Sequence, residues 1–111
     1  MTYNSDNVFA KILRKEIPSD FIYEDAFTVA FKDIHPKAPV HLLVPPKGAY
    51  TDYNDFIINA PKEEFIGFFK AIQTVAAQNN LVEGGYRIVF NVGSGAGQEV
   101  PHLHAHILAK F

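Results

Sequence analysis

Three histidines alternate near the end of the chain, where PHLHAHILAKF places His102, His104 and His106 at every second position. Side chains two residues apart lie on the same face of a β-strand, whereas in a helix they would diverge by about 200°. The residues between and after the histidines are apolar, which is typical of a strand with one face packed inward. The sequence therefore predicts an extended segment that carries three imidazoles on one face.

Such a row of imidazoles favours catalysis, because each protonated ring disfavours protonation of the next. At least one ring is expected to stay neutral near pH 7 and to act as a nucleophile or a base. Two other interpretations compete with this one. The histidines could be solvated surface side chains, or they could bind a metal ion.

A metal site built from this segment alone is disfavoured by distance. His102 and His106 begin about 13 Å apart along an extended strand, whereas Zn–N bonds of about 2.1 Å require ligands that converge. A metal site would need two of these histidines together with His41. We therefore expect neither a metal nor another cofactor.

A glycine-rich loop precedes the histidines. NVGSGAGQEV places Gly93, Gly95 and Gly97 within five residues, so its backbone can adopt positive φ and direct several N–H groups toward an anion. The loop matches neither the Walker A motif nor the dinucleotide fingerprint. Its position directly before the histidines predicts that a phosphate is held beside a nucleophile.

Composition limits the setting in which this chemistry takes place. The chain has 111 residues, 48% of them hydrophobic, which predicts one folded domain over residues 1–111. A net charge of −2 argues against a nucleic-acid partner, and the absence of cysteine excludes disulfides and thiolate metal sites. No window resembles a signal peptide or a membrane span. We expect a cytoplasmic protein without a membrane partner.

The hydrophobic pattern predicts two helices. The first spans residues 6–16 and is capped by Asp6. The second begins with Pro61 as its first helical residue and ends near Gly84-Gly85. Its apolar face is assigned to positions at helical spacing, namely Phe65, Phe69, Ile72 and Ala76.

Five strands are predicted from FIYE, FTVAF, VHLLV, YRIVFNV and the histidine segment. Residues 47–60 fit no element, although FII within them is expected to be buried. Because strands outnumber helices and mostly follow one another, the pattern predicts an α+β domain with an antiparallel sheet.

Several motifs taken together carry a family resemblance. HLHAHIL, the preceding GAGQEVPHLHAH, the early FAKILRKEIP and the central DIHPKAPVHLLVPPK all resemble the histidine triad (HIT) superfamily. Within it they are most similar to the Hint branch of nucleoside phosphoramidases. The likeness extends from about Val8 to Leu108.

The resemblance implies a five-stranded antiparallel sheet with two helices, and a homodimer whose two sheets join edge to edge. It also implies a purine nucleotide substrate. His104 would attack the α-phosphorus of a nucleoside phosphoramidate and expel the amine, and water would then release the nucleoside monophosphate. His102 or His106 would move the proton, and His41 would support them.

Further site residues are implied by the same resemblance. Asp33 would bind the ribose hydroxyls, and Asn91 would reach the phosphate or scissile side. The loop residues Gly97, Gln98 and Glu99 complete the nucleotide-binding set. The base would sit among Val8, Phe9, Ile12, Phe31 and Ile34, and the alternative is that these five side chains form ordinary core.

One departure from the family pattern affects the choice of substrate. Glu99 stands where many Hint proteins carry serine, and its carboxylate would repel a phosphate, so its backbone N–H is the group expected to contribute. Three alternatives to a phosphoramidate hydrolase stay open. They are a dinucleoside polyphosphate hydrolase of the Fhit type, a nucleotide-binding regulatory module with little turnover, and a zinc-binding protein.

Overall fold

The computed structural model describes residues 2–111 and shows an α+β domain built on one antiparallel sheet. Three helices and five strands follow one another along the chain as α1 (Val8–Leu13), β1 (Tyr23–Glu24), β2 (Val29–Lys32), β3 (Val40–Val44), α2 (Tyr53–Asn59), α3 (Lys62–Gln78), β4 (Arg87–Val89) and β5 (Ala105–Ala109). The strands lie in the order β1-β2-β3-β5-β4, and every neighbouring pair is antiparallel. The predicted fold class and the five-stranded sheet are confirmed, whereas the helix number is three rather than two.

Helix α3 covers one face of the sheet and forms the main core with it. Phe68, Ile72 and Val75 of the helix are at most 2% exposed and join the same cluster as Ala105 and Ile107 of β5. Burial of each large apolar side chain contributes roughly 1.5–3 kcal/mol. This face therefore anchors β5, the strand that continues the histidine segment.

The opposite face of the sheet is only partly covered. Phe9 and Ile12 of the short helix α1 pack against Val29, Phe31 and Leu43 in a second, smaller cluster. Because side chains alternate along a strand, the β3 and β5 residues that point away from α3 face this side. Six residues of helix cannot cover the whole sheet, and the uncovered part forms an open cleft.

The structure corrects the ends of both predicted helices. Asn7, not Asp6, caps α1, because its side chain accepts a hydrogen bond of 2.9 Å from the Ala10 N–H. Pro61 caps α3 and is not its first helical residue. Helix α3 ends before Asn80, whose φ of 59° stops it well ahead of Gly84-Gly85.

The unassigned segment 47–60 contains α2, which the hydrophobic pattern alone did not reveal. Asp52 caps this helix by accepting a hydrogen bond of 2.9 Å from the Asp55 N–H. Of the FII residues expected to be buried, Phe56 is 0% exposed, but Ile57 and Ile58 are 42% and 78% exposed. A single buried aromatic ring holds the helix against the core.

Two further predictions about packing are wrong in detail. Phe69 of α3 is 38% exposed, because Phe68 occupies the buried position on that turn. The strands are also shorter than their sequence runs, and β5 begins at Ala105, so that His102 and His104 precede it. Within residues 2–111, no helix combines the length and apolar character needed to cross a membrane.

Candidate active site

A cleft of about 710 Å³ lies on the α1 face of the sheet. Twelve of the fourteen predicted site residues line it, which are Val8, Phe9, Ile12, Phe31, Asp33, Ile34, His41, Asn91, Gly97, Glu99, His104 and His106. His102 and Gln98 do not line the cleft. Side chains alternate between the two faces along a strand, so residues two positions apart share a face. This alternation along β3 and β5 places both His41 and His106 on the cleft side of the sheet.

His104 presents an unprotonated nitrogen at the cleft. Its Nδ1 lies 2.7 Å from the backbone oxygen of His102, and a carbonyl oxygen can only accept a hydrogen bond. The hydrogen must therefore sit on Nδ1, which leaves a lone pair on Nε2. The ring of Phe9 contacts the imidazole edge-on, with centroids 4.7 Å apart, and so restricts its rotation.

Hydrogen bonds also determine which ring nitrogen carries the hydrogen in His41 and in His106. The Lys37 backbone N–H donates to His41 Nδ1 at 2.9 Å, so the hydrogen of a neutral His41 is on Nε2. That Nε2 lies 2.8 Å from His106 Nδ1 and 3.4 Å from an Asp33 carboxylate oxygen, both of which accept. His106 Nδ1 is therefore an acceptor, and its hydrogen is on Nε2.

Asn91 is the remaining neighbour of His106 Nε2, with its amide nitrogen 3.4 Å away. A backbone N–H is a fixed donor, whereas an asparagine amide can present its oxygen instead by a rotation of about 180°. The shorter contacts through His41 therefore decide the tautomer. The site pairs a lone-pair nitrogen on His104 with an N–H donor on His106, and the two ring centroids are 5.0 Å apart.

Burial keeps these histidines neutral. Desolvation lowers the pKa of His104 and of His41 below the usual histidine value. Desolvation, with additional repulsion from His104 and His41, lowers the pKa of His106 to about 4. The rings are therefore uncharged at pH 7, which agrees with the proton positions required by the hydrogen bonds.

His102 does not share the cleft with the other two histidines. The chain bends before β5, and the His102 side chain is 0% exposed. Its Nε2 lies 2.8 Å from the Pro46 backbone oxygen, and its Nδ1 lies 2.5 Å from the Tyr3 hydroxyl. Both ring nitrogens are thus occupied, and desolvation lowers the pKa of His102.

The glycine loop has the expected backbone but uses its N–H groups differently. Gly93 and Gly97 have φ values of 82° and 85°, which favour glycine. The N–H groups of Gly93, Ala96, Gly97 and Gln98 all donate within the loop. These four N–H groups are therefore not available to an anion.

Gln98 holds this loop in place. Its side-chain oxygen accepts from the Gly93 N–H at 2.8 Å, and its side-chain nitrogen donates to the backbone oxygens of Thr51 and Val100 at 2.8 and 3.0 Å. The side chain of Gln98 consequently connects the loop to the segment before α2. It shapes the cleft without lining it.

The apolar side of the cleft lies under α1. Phe9, Ile12 and Phe31 are buried, whereas Val8 is 41% exposed and Ile34 is 86% exposed. Asp33 sits at the boundary between this apolar side and the histidines, and its second carboxylate oxygen accepts from the His35 N–H at 2.8 Å. The cleft thus presents an apolar wall, a carboxylate and a pair of imidazoles side by side in space.

One set of side chains could also hold a metal ion. Ligand atoms of Asp33, His41 and His106 all lie within 4.8 Å of one another. These nitrogen and carboxylate donors suit zinc. The set uses only one residue of the alternating row, so His41 and Asp33 would supply the rest.

The sequence did not predict the groups that determine which ring nitrogen of each histidine carries the hydrogen. The Lys37 N–H and the Pro46 carbonyl are backbone atoms, which carry no residue-type signal. Tyr3 is 99 residues away from His102 along the chain, and no local pattern connects them.

These features define a class: an α+β domain with an open cleft in which an uncharged imidazole offers its lone pair. Similarity to known protein families identifies the chain more narrowly. The HIT domain model matches residues 14–111, and the chain belongs to the HIT family.

Relatives and solved structures agree with this assignment. A HIT-like protein of Azospirillum brasilense is 51% identical over 108 residues, covering 97% of this chain and 88% of the relative. The purine nucleoside phosphoramidase of Escherichia coli K12 is 39% identical over 104 residues, covering 93% and 86%. A HIT family hydrolase from Clostridium thermocellum superposes with a TM-score of 0.87 at 40% identity, covering 97% and 93%.

Proposed function

We propose that this protein hydrolyses purine nucleoside 5′-phosphoramidates through a nucleotidyl-histidine intermediate on His104. The observation that carries the proposal is the pairing of a lone-pair Nε2 on His104 with an Nε2–H on His106 in one cleft. The 39% identity to a phosphoramidase supports the same reaction class.

In the first step, His104 Nε2 forms a bond to phosphorus and the P–N bond breaks. Its electron pair goes to nitrogen, which must also gain a proton to leave as the amine. The negative charge of a bound phosphoramidate favours the protonated form of His106, whose Nε2 faces the cleft. His102 is less suited to this transfer, because both of its ring nitrogens are engaged in buried hydrogen bonds.

In the second step, water attacks the phosphorus and the bond to His104 Nε2 breaks. His106, neutral after the first step, takes up the proton of the water, and the nucleoside monophosphate is released. Dividing the displacement into two steps allows each nucleophile to attack a phosphorus that is already held in position.

The remaining cleft residues suit the rest of a nucleotide. Phe9, Ile12 and Phe31 offer apolar surface for a base, and Asp33 lies between them and the histidines, where its carboxylate can accept hydrogen bonds from ribose hydroxyls. Glu99 lines the same cleft and disfavours an anionic leaving group. This charge favours an amine over the nucleotide phosphate that a dinucleoside polyphosphate hydrolase would expel.

The test is hydrolysis of a fluorogenic adenosine tryptamine phosphoramidate. Wild-type protein is expected to turn it over, and His104→Ala is expected to lose at least about 10³-fold in kcat while still binding AMP. Mass spectrometry of quenched reactions should trap a nucleotidyl adduct on His104. Binding of AMP without hydrolysis of phosphoramidates or dinucleoside polyphosphates would establish a nucleotide-binding module instead.

Zinc binding is a second candidate function, favoured by the convergence of Asp33, His41 and His106. A metal there would displace the hydrogen bond between His41 and His106, which keeps the hydrogen of His106 on Nε2. We expect chelator treatment to leave the phosphoramidase rate unchanged. A rate lost on chelation and restored by zinc would support the metal-dependent alternative.

We also propose that two copies of the chain form a homodimer through β4. This strand lies at one edge of the sheet, and Ile88 on it is 47% exposed. Ile66 and Phe69 of α3 are 42% and 38% exposed. Light scattering on a size-exclusion column should report a dimer for wild type and a monomer for Ile88→Glu, because a charge at an edge strand opposes pairing.

A further inference from the structure

The proposed reaction makes no use of the His102 imidazole, although it is the most thoroughly buried ring of the triad. Its Nε2 lies 2.8 Å from the Pro46 backbone oxygen, which can only accept, so Nε2 carries the hydrogen of the neutral ring. Nδ1 is then an acceptor. The Tyr3 hydroxyl, 2.5 Å away, must donate to it.

Tyr3 reaches this ring from the N-terminal segment that precedes α1. Its aromatic ring contacts His102 edge-on, with centroids 5.6 Å apart. The HIT domain match begins at residue 14, so Tyr3 lies outside the part of the chain that the family model covers. The match to the family model therefore does not by itself imply this contact.

His102 in turn controls the proton of the nucleophile. Its backbone oxygen accepts from His104 Nδ1 at 2.7 Å, and this hydrogen bond keeps the lone pair on His104 Nε2. The ring of His102 is held at both nitrogens, by Pro46 on one side and Tyr3 on the other. Fixing the ring limits rotation of the residue and hence the direction of its carbonyl.

We propose that Tyr3 is a positioning residue, whose hydroxyl holds His102 so that the His102 carbonyl keeps His104 in its Nδ1–H tautomer. Without the hydroxyl, Nδ1 of the buried ring loses its donor, and an unsatisfied buried acceptor is costly. The ring then turns or draws in water, and the carbonyl moves with it. The kinetic consequence rests on the proposed phosphoramidase activity, whereas the tautomer of His104 does not.

The kinetic experiment replaces only the hydroxyl, by Tyr3→Phe in the full chain. Loss of one buried hydrogen bond predicts a decrease in kcat of about 5- to 30-fold, with KM for the tryptamine phosphoramidate changed by less than about 2-fold. The matched control is Tyr23→Phe, which removes a hydroxyl hydrogen bond of 2.7 Å to Asp25 and does not line the cleft. Its kcat should equal that of wild type.

A second variant tests whether Tyr3 acts through His102. In a His102→Gln background, the glutamine can still donate to the Pro46 carbonyl but offers no imidazole nitrogen to Tyr3. Adding Tyr3→Phe to that background should leave kcat unchanged. An equal loss in both backgrounds would show that Tyr3 acts by another route and would overturn the proposal.

The spectroscopic experiment does not depend on turnover. Nitrogen-15 NMR of the free protein distinguishes protonated from unprotonated ring nitrogens, and wild-type His104 should show one tautomer with hydrogen on Nδ1. Tyr3→Phe should show a mixture, while Tyr23→Phe should resemble wild type. A Tyr3→Phe protein with the wild-type His104 tautomer refutes the proposal. If wild type hydrolyses no phosphoramidate, the proposed function fails and this measurement alone decides the role of Tyr3.

Discussion

Replacing His41 by asparagine and by glutamine separates its two hydrogen bonds. His41 accepts from the Lys37 N–H through Nδ1 and donates to His106 through Nε2, at 2.9 and 2.8 Å. The asparagine side chain ends near the position of Nδ1, so it keeps an acceptor for Lys37 but is too short to reach His106. The glutamine amide nitrogen reaches the position of Nε2 and keeps a donor to His106.

The expected decrease in kcat follows from the loss of the hydrogen-bond donor to His106. Without a donor at Nδ1, neutral His106 in the free protein can carry its hydrogen on Nδ1, and Nε2 then loses the hydrogen that it directs into the cleft in the wild type. The cost of an unsatisfied partner in such a site is about 1–3 kcal/mol, which corresponds to roughly 5- to 150-fold in rate. His41→Asn should therefore lower kcat by about that factor, whereas His41→Gln should lose much less.

The assay is steady-state hydrolysis of the tryptamine phosphoramidate, with AMP binding measured by calorimetry to show that the cleft is intact. Circular dichroism and thermal melting check that both variants fold, since His41 is 6% exposed. Equal rates for the two variants, or a faster asparagine variant, would refute the argument that His41 acts by donating to His106.

Four further predictions concern the pH dependence of activity, the pH dependence of stability, the glycine loop and substrate selectivity. On the acid side, kcat/KM should rise as the pH is lowered from 7 to below 6.5, because the reaction uses protonated His106, whose pKa in the free protein is about 4, while desolvation lowers the pKa of His104 and keeps its lone pair free; a fall in kcat/KM at the ordinary histidine pKa would contradict this. By linkage, the unfolded chain binds more protons than the folded one between about pH 4 and 6.5, so urea denaturation should show stability falling as pH falls through that range. Gln98→Ala should lose about 1–3 kcal/mol of unfolding free energy and raise KM, because it releases the loop from Gly93 and Thr51; unchanged urea midpoint and KM would count against this role. Glu99→Gln should increase kcat/KM for a dinucleoside polyphosphate relative to the phosphoramidate by up to about 5-fold, since one charge near 4 Å in a wet site contributes about 1 kcal/mol; an unchanged ratio would mean that Glu99 does not face the leaving group.

The alternating histidines determined much of the site by themselves. A period of two residues fixes which side chains share a face, and His104 and His106 do share the cleft, as that period requires. The same reasoning gave the antiparallel class of the sheet and the positive φ at Gly93 and Gly97. Such features depend on the geometry of neighbouring residues, which sequence alone specifies.

Other features were decided only by tertiary structure. His102 leaves the row because the chain bends before β5 and a buried carbonyl and Tyr3 hold its ring. The proton on His106 depends on His41, 65 residues earlier, and the sequence does not specify that contact. Periodicity gives the direction of a side chain, but a tautomer depends on the atom that faces it. That atom is set by strand register and packing between distant segments.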